Sequence, residues 1–104
     1  MANVVPMFDP QNRRSVEARI KKIWSDGNFI LTGHARKAMS DDRLDINDIE
    51  HIIRYGQITE ITQPRRLWRY RIEGTVVDRT RAACVVELEL DDNAILVTVF
   101  RLKR

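Results

Sequence analysis

Apolar residues recur every three or four positions in the first half of the chain, and they alternate with polar residues in the second half. Val16, Ile20 and Ile23 share one helical face, which predicts an amphipathic first helix. This helix is predicted to begin at Asp9-Pro10, where an N-cap residue precedes a proline, and to end at Asp26-Gly27. The first regular element is therefore a helix with one buried side.

Two shorter helices are predicted to follow. Residues 29–32 favour a short strand or an extended link, which leads into a short helix. Asn47 and Glu50 then form a capping-box pattern, which predicts a third helix over about residues 48–55. Gly56 stands where a left-handed glycine would end this helix.

The second half of the chain predicts four β-strands separated by turn residues. They cover roughly residues 57–63, 67–73, 82–90 and 94–101. Trp68, Tyr70 and Ile72 alternate with Arg69 and Arg71, so one face of the sheet is predicted to be apolar and the other charged. Helices packed on the apolar face of a four-stranded antiparallel sheet define an α+β fold.

The composition fits one small domain, predicted over residues 9–104 behind a loose segment of residues 1–8. No apolar run is long enough to span a bilayer and the N-terminus lacks signal-peptide features, which predicts a cytoplasmic protein without membrane contact. The single cysteine, Cys84, has only two histidines to accompany it, so we expect no metal and no other cofactor.

Positive charge concentrates toward the C-terminus. The net charge is +3, and residues 64–104 contribute nine basic and six acidic side chains. Fourteen of the eighteen basic residues are arginine, whose planar guanidinium binds phosphate or carboxylate in a bidentate manner. This composition suits RNA or an acidic protein as partner. Alternatively, the arginines form a solvated face paired with neighbouring Asp and Glu.

Several short motifs in the predicted elements carry a resemblance to a known family. They are Ile20-Lys21-Lys22-Ile23 followed by Asp26-Gly27, then Leu67-Trp68-Arg69, and the final strand Leu96-Val97-Thr98-Val99-Phe100-Arg101. Over about residues 15–102 the chain resembles the motility quorum-sensing regulator toxins of the RelE-like mRNA interferase superfamily. Gly33-His34-Ala35, with Met39, Arg43 and Gly56, resembles a related, largely uncharacterised family with a His-Ala signature that occurs beside zinc-ribbon antitoxins.

The resemblance implies the toxin component of a bacterial type II toxin–antitoxin pair. Such toxins cleave mRNA without a metal, by attack of a ribose 2′-hydroxyl on the adjacent phosphate. The implied partners are mRNA and a cognate antitoxin of zinc-ribbon or helix-turn-helix type. The alternative is a non-catalytic module on the same fold that binds RNA or protein.

The candidate catalytic residues are His34, Arg69 and Arg101. The resemblance places Arg101 where the toxins have a functional lysine and Arg69 where they have a functional glutamine. His34 begins a short helix, and its imidazole would serve as a general base. The alternatives are a solubilising charge for Arg101, a cross-strand ladder with Glu87 and Glu89 for Arg69, and a capping role for His34.

The candidate RNA-binding residues are Arg71, Arg79, Arg81 and Lys103. Strand alternation places Arg71 on the face of Arg69. Arg79 and Arg81 flank Thr80 in a loop, where they would either grip the RNA backbone or stay merely exposed.

The phenol that the toxin family uses in catalysis has no counterpart at the matching positions. Cys84 and Phe100 occupy them, and Cys84 is predicted to be a small buried hydrophobe. Tyr70 is predicted to face the core with Trp68 and Ile72, and His51 is predicted to face solvent.

Overall fold

The fold combines three helices with one five-stranded mixed sheet, and the computed structural model describes residues 8–102. The helices are α1 (Arg13–Ser25), α2 (Gly33–Asp41) and α3 (Ile46–Tyr55), and the strands are β1 (Phe29–Leu31), β2 (Gln57–Thr62), β3 (Arg69–Thr75), β4 (Arg81–Leu88) and β5 (Ala94–Arg101). Their order across the sheet is β1-β5-β4-β3-β2. The predicted α+β class is confirmed.

The sheet has one strand more than the four predicted. β1 pairs with β5 in parallel, with Phe29 opposite Ala94, whereas the other strand pairs are antiparallel. A three-residue strand is too short to show alternation, and its partner lies near the other end of the chain. The prediction of a four-stranded antiparallel sheet is therefore corrected to a five-stranded mixed sheet, in which β5 is an interior strand as its apolar sequence predicts.

The two faces of the sheet differ in the predicted way. One face supplies buried side chains that pack with α1 and α3, among them Tyr70, Ile72, Val86 and Leu88. Apart from the fully buried Ala83, the side chains on the other face are partly exposed, and we call this surface the open face. It includes Arg69, Arg71, Glu73, Val85, Glu87 and Phe100.

The first helix begins three residues later than predicted. Asn12 is its N-cap, and the Asn12 side chain accepts a hydrogen bond from the backbone N–H of Ser15 at 3.0 Å. Asp9 instead closes a preceding turn, since its carboxylate accepts from the backbone N–H of Gln11 at 2.9 Å. Asp9, which the sequence predicts as the N-cap, therefore forms an Asx-type turn instead.

The third helix is capped two residues earlier than predicted. Asp45, not Asn47, is the N-cap, and it exchanges hydrogen bonds with Asp48 in a capping box. Glu50 is released from that role and accepts a hydrogen bond from the indole N–H of Trp24 at 3.2 Å. That hydrogen bond, with Arg54 nearby, lowers the pKa of Glu50.

Gly56 ends α3, but not in the left-handed conformation that was predicted. Its φ of −80° and ψ of 178° are extended. Glycine is required at this position because there is no room for a side chain: a Cβ would lie 2.5 Å from the carbonyl oxygen of Ile52 and 2.7 Å from that of Glu73. The end of α3 consequently lies directly against β3.

Some sequence predictions fall at or beyond the limits of the described residues. Of residues 1–8, only Phe8 lies within them, and its ring is 4.5 Å from the guanidinium of Arg19. Lys103 lies outside the described residues. Within residues 8–102, no helix is both long enough and apolar enough to cross a membrane.

Candidate functional site

A cleft of about 470 Å³ lies where β3 leaves the sheet and continues toward β4. The second half of α3 forms one wall, and the β3–β4 loop with the start of β4 forms the other. Besides Glu73, whose carboxylate is paired with Arg71, the cleft is lined by an imidazole, a phenol and two guanidinium groups, from His51, Tyr55, Arg79 and Arg81. We call it the end cleft.

The helix wall carries an imidazole and a phenol. His51 and Tyr55 lie four residues apart on the outer side of α3, because Ile49, Ile52 and Ile53 occupy its buried side. Their rings meet edge to face, with centroids 5.2 Å apart. His51 is exposed as predicted, and 73% of Tyr55 is exposed, so both groups are open to a ligand.

The loop wall is a tight turn fixed by its own backbone. Val76 donates its backbone N–H to the carbonyl of Thr80, and Arg79 donates to the carbonyl of Val76, both at 2.9 Å. Arg79 has a left-handed φ of 71° at the tip. Asp78 accepts from the hydroxyl of Thr80 at 2.6 Å and from its N–H at 3.0 Å, and these bonds lower the pKa of Asp78.

The two arginines of the loop wall hold unneutralised positive charge. Across residues 8–102, neither Arg79 nor Arg81 has a carboxylate oxygen within 4.0 Å, and both side chains are exposed. The loop geometry that fixes the backbone of Arg79 therefore leaves two guanidinium groups able to bind an anion in the end cleft.

The arginines of the open face are instead paired. Arg69 donates from Nε and Nη2 to one carboxylate oxygen of Glu87, directly opposite on β4, at 3.0 and 2.7 Å. The predicted cross-strand pairing with Glu87 is therefore confirmed. Arg71 donates to Glu73 at 2.9 Å, and its guanidinium lies 5.0 Å from the ring centre of Phe100. The charges of these two pairs cancel, so the middle of the open face is not basic.

Arg101 joins two distant segments. Its guanidinium donates four hydrogen bonds: two to the backbone carbonyls of Asp42 and Arg43, and two to the side chains of Asp78 and Thr80. The sequence predicts a phosphate contact for Arg101. In the structure this side chain holds the loop that presents Arg79, which makes it a positioning residue for the end cleft.

His34 lies outside the end cleft. It is exposed near the start of α2, and Thr32 performs the capping that was one interpretation of His34. The Thr32 hydroxyl accepts from the N–H of Ala35 at 3.0 Å and donates to the carbonyl of Leu96 at 3.1 Å. The three candidate catalytic residues, His34, Arg69 and Arg101, are thus in three different environments.

Only one of the two tyrosines is accessible. Tyr70 is fully buried, as predicted, and its hydroxyl donates to the carbonyl of Pro10 at 2.8 Å; burial raises the pKa of Tyr70 to about 12. Cys84 is also buried as predicted, and burial raises the pKa of its thiol to about 12. Tyr55 therefore provides the exposed phenol that the sequence interpretation missed, although its place outside the apolar stripe of α3 was a visible sign of exposure.

The end cleft contains no cluster typical of a metal site. In the described part of the chain, no group of three or more His, Cys, Asp or Glu side chains is arranged to hold a metal ion. Since the carboxylate of Glu73 is already occupied by Arg71 and Thr59, the chemistry that this cleft offers comes from an imidazole, a phenol and two guanidinium groups.

A family profile described as "Domain of unknown function (DUF4258)" matches residues 31–101. No curated protein and no solved structure matches the chain significantly. The matched region runs from the end of β1 through β5, so it contains both walls of the end cleft. Since it spans well over half of the sequence, the chain belongs to the DUF4258 family of domains of unknown function.

Proposed function

We propose that the protein is a metal-independent endoribonuclease of RelE-like type, the toxin of a bacterial toxin–antitoxin pair, and that the end cleft is its catalytic site. One observation supports this most directly: the cleft brings His51 and Tyr55 together with Arg79 and Arg81. An acid–base pair beside unneutralised positive charge is what cleavage of RNA by its own 2′-hydroxyl requires.

The proposed reaction uses each group once. His51 takes the proton of the 2′-hydroxyl as the hydroxyl oxygen forms a bond to the adjacent phosphorus. Tyr55 gives its proton to the departing 5′-oxygen as the phosphorus–oxygen bond breaks. Arg79 and Arg81 stabilise the charge that accumulates on the phosphate oxygens. The products are a 2′,3′-cyclic phosphate and a 5′-hydroxyl, after which solvent restores both protonation states.

An antitoxin partner follows from the same proposal. A toxin that cleaves mRNA in its host must be held inactive, and the exposed end cleft is a surface that an antitoxin would cover. The zinc-ribbon or helix-turn-helix type implied by the resemblance remains part of this proposal. Co-expression with the product of a neighbouring short gene should restore growth that the protein alone arrests.

The decisive experiment is cleavage of a labelled RNA in EDTA. We expect cyclic-phosphate ends, and a loss of roughly 10²–10⁴-fold in rate for His51→Ala, with a smaller loss for Tyr55→Phe. Lys21→Ala, an exposed residue of α1, is the matched surface control. His34→Ala tests the sequence-based assignment, because loss there with full activity in His51→Ala would move the site to α2.

The same experiment tests the non-catalytic alternative. Arg79 and Arg81 would bind RNA whether or not chemistry follows, and such binding weakens with salt because phosphate contacts release counterions. Salt-dependent binding without any cleavage product would replace the nuclease by an RNA-binding module. Full cleavage in both His51→Ala and Tyr55→Phe would refute the end cleft as the catalytic site.

A further inference from the structure

A second pair of unneutralised arginines lies at the other end of β3. Arg65 and Arg66 occupy the β2–β3 hairpin, and both are exposed. In the part of the chain that the structure describes, neither has a carboxylate oxygen within 4.0 Å. Gln63 holds the hairpin by donating its side-chain amide to the carbonyl of Arg66 at 3.0 Å.

This hairpin borders the open face. Arg65 and Arg66 line a groove of about 400 Å³ together with the open-face residues Arg69 and Glu87, and Glu89 lies at the same groove without an arginine partner within 4.0 Å among the described residues. The end cleft lies at the opposite end of β3, and the seven residues of that strand span roughly 20 Å at about 3.4 Å per residue. Two basic clusters are therefore separated by about the length of one strand.

The surface between the clusters carries no excess positive charge, because Glu60 lies opposite Arg71 in addition to the two paired glutamates, and it is partly aromatic. A depression of about 400 Å³ lies there, lined by Val85, Thr98 and Phe100 beside Arg69 and Arg71. Glu87 and Glu73 neutralise those two arginines, as described above. Single-stranded nucleic acid suits this arrangement, because its phosphates require positive charge while its bases stack on aromatic side chains and guanidinium planes.

We propose that the Arg65–Arg66 hairpin is a second phosphate-binding contact, and that single-stranded RNA lies along β3 with its backbone held at both ends. The bases between the two contacts rest on the depression beside Phe100. This proposal rests on the proposed function in one respect: the end cleft is taken as the catalytic site toward which the RNA runs. The separation of the clusters requires about four or more nucleotides, at the lower end of site sizes for single-strand-binding proteins.

An acidic protein is a poorer occupant of this surface. Its carboxylates would meet Glu73 and Glu87 in the middle of the open face, where each already accepts hydrogen bonds from an arginine. Like charges placed opposite each other are unfavourable. RNA places its bases over this middle and its phosphates at the two basic ends.

The test uses 2′-O-methyl RNA, which cannot be cleaved by its own 2′-oxygen, in lengths of three and ten nucleotides. Fluorescence anisotropy at several salt concentrations compares Arg65→Ala/Arg66→Ala with Arg14→Ala/Lys21→Ala, a control that removes the same charge from exposed positions of α1. We expect the hairpin variant to weaken ten-nucleotide binding roughly tenfold. Its salt slope should fall by about 1.4, or about 0.7 for each lost phosphate contact. Trimer binding should be unchanged.

Each result has a distinct meaning. Equal ten-nucleotide binding by the hairpin variant and the native protein overturns the second contact, even where cleavage depends on His51 as proposed. An equal loss in the α1 control also overturns it, because the effect is then one of net charge. Failure to bind either RNA at low salt overturns it in favour of an acidic partner. Hairpin-dependent binding without any cleavage of ordinary RNA supports the contact and refutes the nuclease.

Discussion

The carboxylate of Asp48 accepts a hydrogen bond from the backbone N–H of Val77 at 3.0 Å and thereby joins the start of α3 to the β3–β4 loop. Its other oxygen accepts from the backbone N–H of Asp45 at 2.9 Å. Only 8% of Asp48 is exposed, so water cannot easily replace these bonds. Asp48 is therefore a direct side-chain link between the two walls of the end cleft.

Replacing Asp48 with alanine should lower the free energy of unfolding by about 2–3 kcal/mol, since a helix cap and a buried charged acceptor are both lost. Urea unfolding of Asp48→Ala measures the change. Asp41→Ala is the matched control, because Asp41 pairs with Lys37 on the surface of α2, where such a pair contributes less than about 0.5 kcal/mol. Equal losses in the two variants would contradict the structural role of Asp48.

Arg101→Lys separates a phosphate contact from a positioning role. Lysine keeps the positive charge but cannot reproduce the four directed hydrogen bonds of the guanidinium. We expect a loss of about 1–2 kcal/mol in stability, together with weaker RNA binding because the loop bearing Arg79 loosens. Unfolding and anisotropy on the same sample measure both. Native stability with normal RNA binding would mean that only the charge of Arg101 matters.

Buried acidic groups make the fold sensitive to alkali. Burial raises the pKa of Cys84 from 9.0 to about 12 and that of Tyr70 from 10.0 to about 12. Because each folded pKa exceeds the unfolded one, the folded state binds the proton more tightly, and stability is lost as pH rises from 9 toward 12. Urea unfolding between pH 8 and 11.5 should show this decline. Cys84→Ala should move its onset from about pH 9 to about pH 10. A flat profile up to pH 11 would contradict the burial of both groups.

Gly56→Ala should be strongly destabilising, by about 3 kcal/mol, since the new methyl group would meet two backbone carbonyl oxygens that cannot move aside. Gly33→Ala is the matched control. A Cβ at Gly33 has no neighbour within 4 Å, and alanine at the first position of α2 should be neutral or stabilise by up to about 1 kcal/mol. Thermal unfolding compares them, and similar stability for both variants would argue against close packing of α3 on β3.

The sequence predicted those features that depend on local pattern. Alternation along β3 and β4 correctly predicted that Tyr70 lies on the buried face and that Arg69 and Glu87 share the opposite face. Strand geometry alone determines which side chains share a face. The start of α3 was misplaced because the stretch contains several residues able to cap, and only the structure shows that Asp45 and Asp48 bond reciprocally.

The candidate site was only half found from the sequence, which named Arg79 and Arg81 but not His51 and Tyr55. His51 and Tyr55 belong to α3, whereas Arg79 lies in the β3–β4 loop and Arg81, predicted in that loop, begins β4, and no local pattern brings these segments together. The positioning contacts of Arg101 were not foreseen for the same reason, since its partners lie near residues 42 and 78. Side-chain roles that depend on long-range contacts are not encoded in periodicity.

The parallel pairing of β1 with β5 also sets an order for folding. Phe29 meets Ala94 only when nearly all of the intervening chain has been brought into a closed loop, and contacts of such large sequence separation slow folding. The capped helices and the β3–β4 hairpin need no such closure. Since Arg101 of β5 anchors the loop that bears Arg79, we expect the end cleft to become ordered in the last and slowest step, after most secondary structure has already formed.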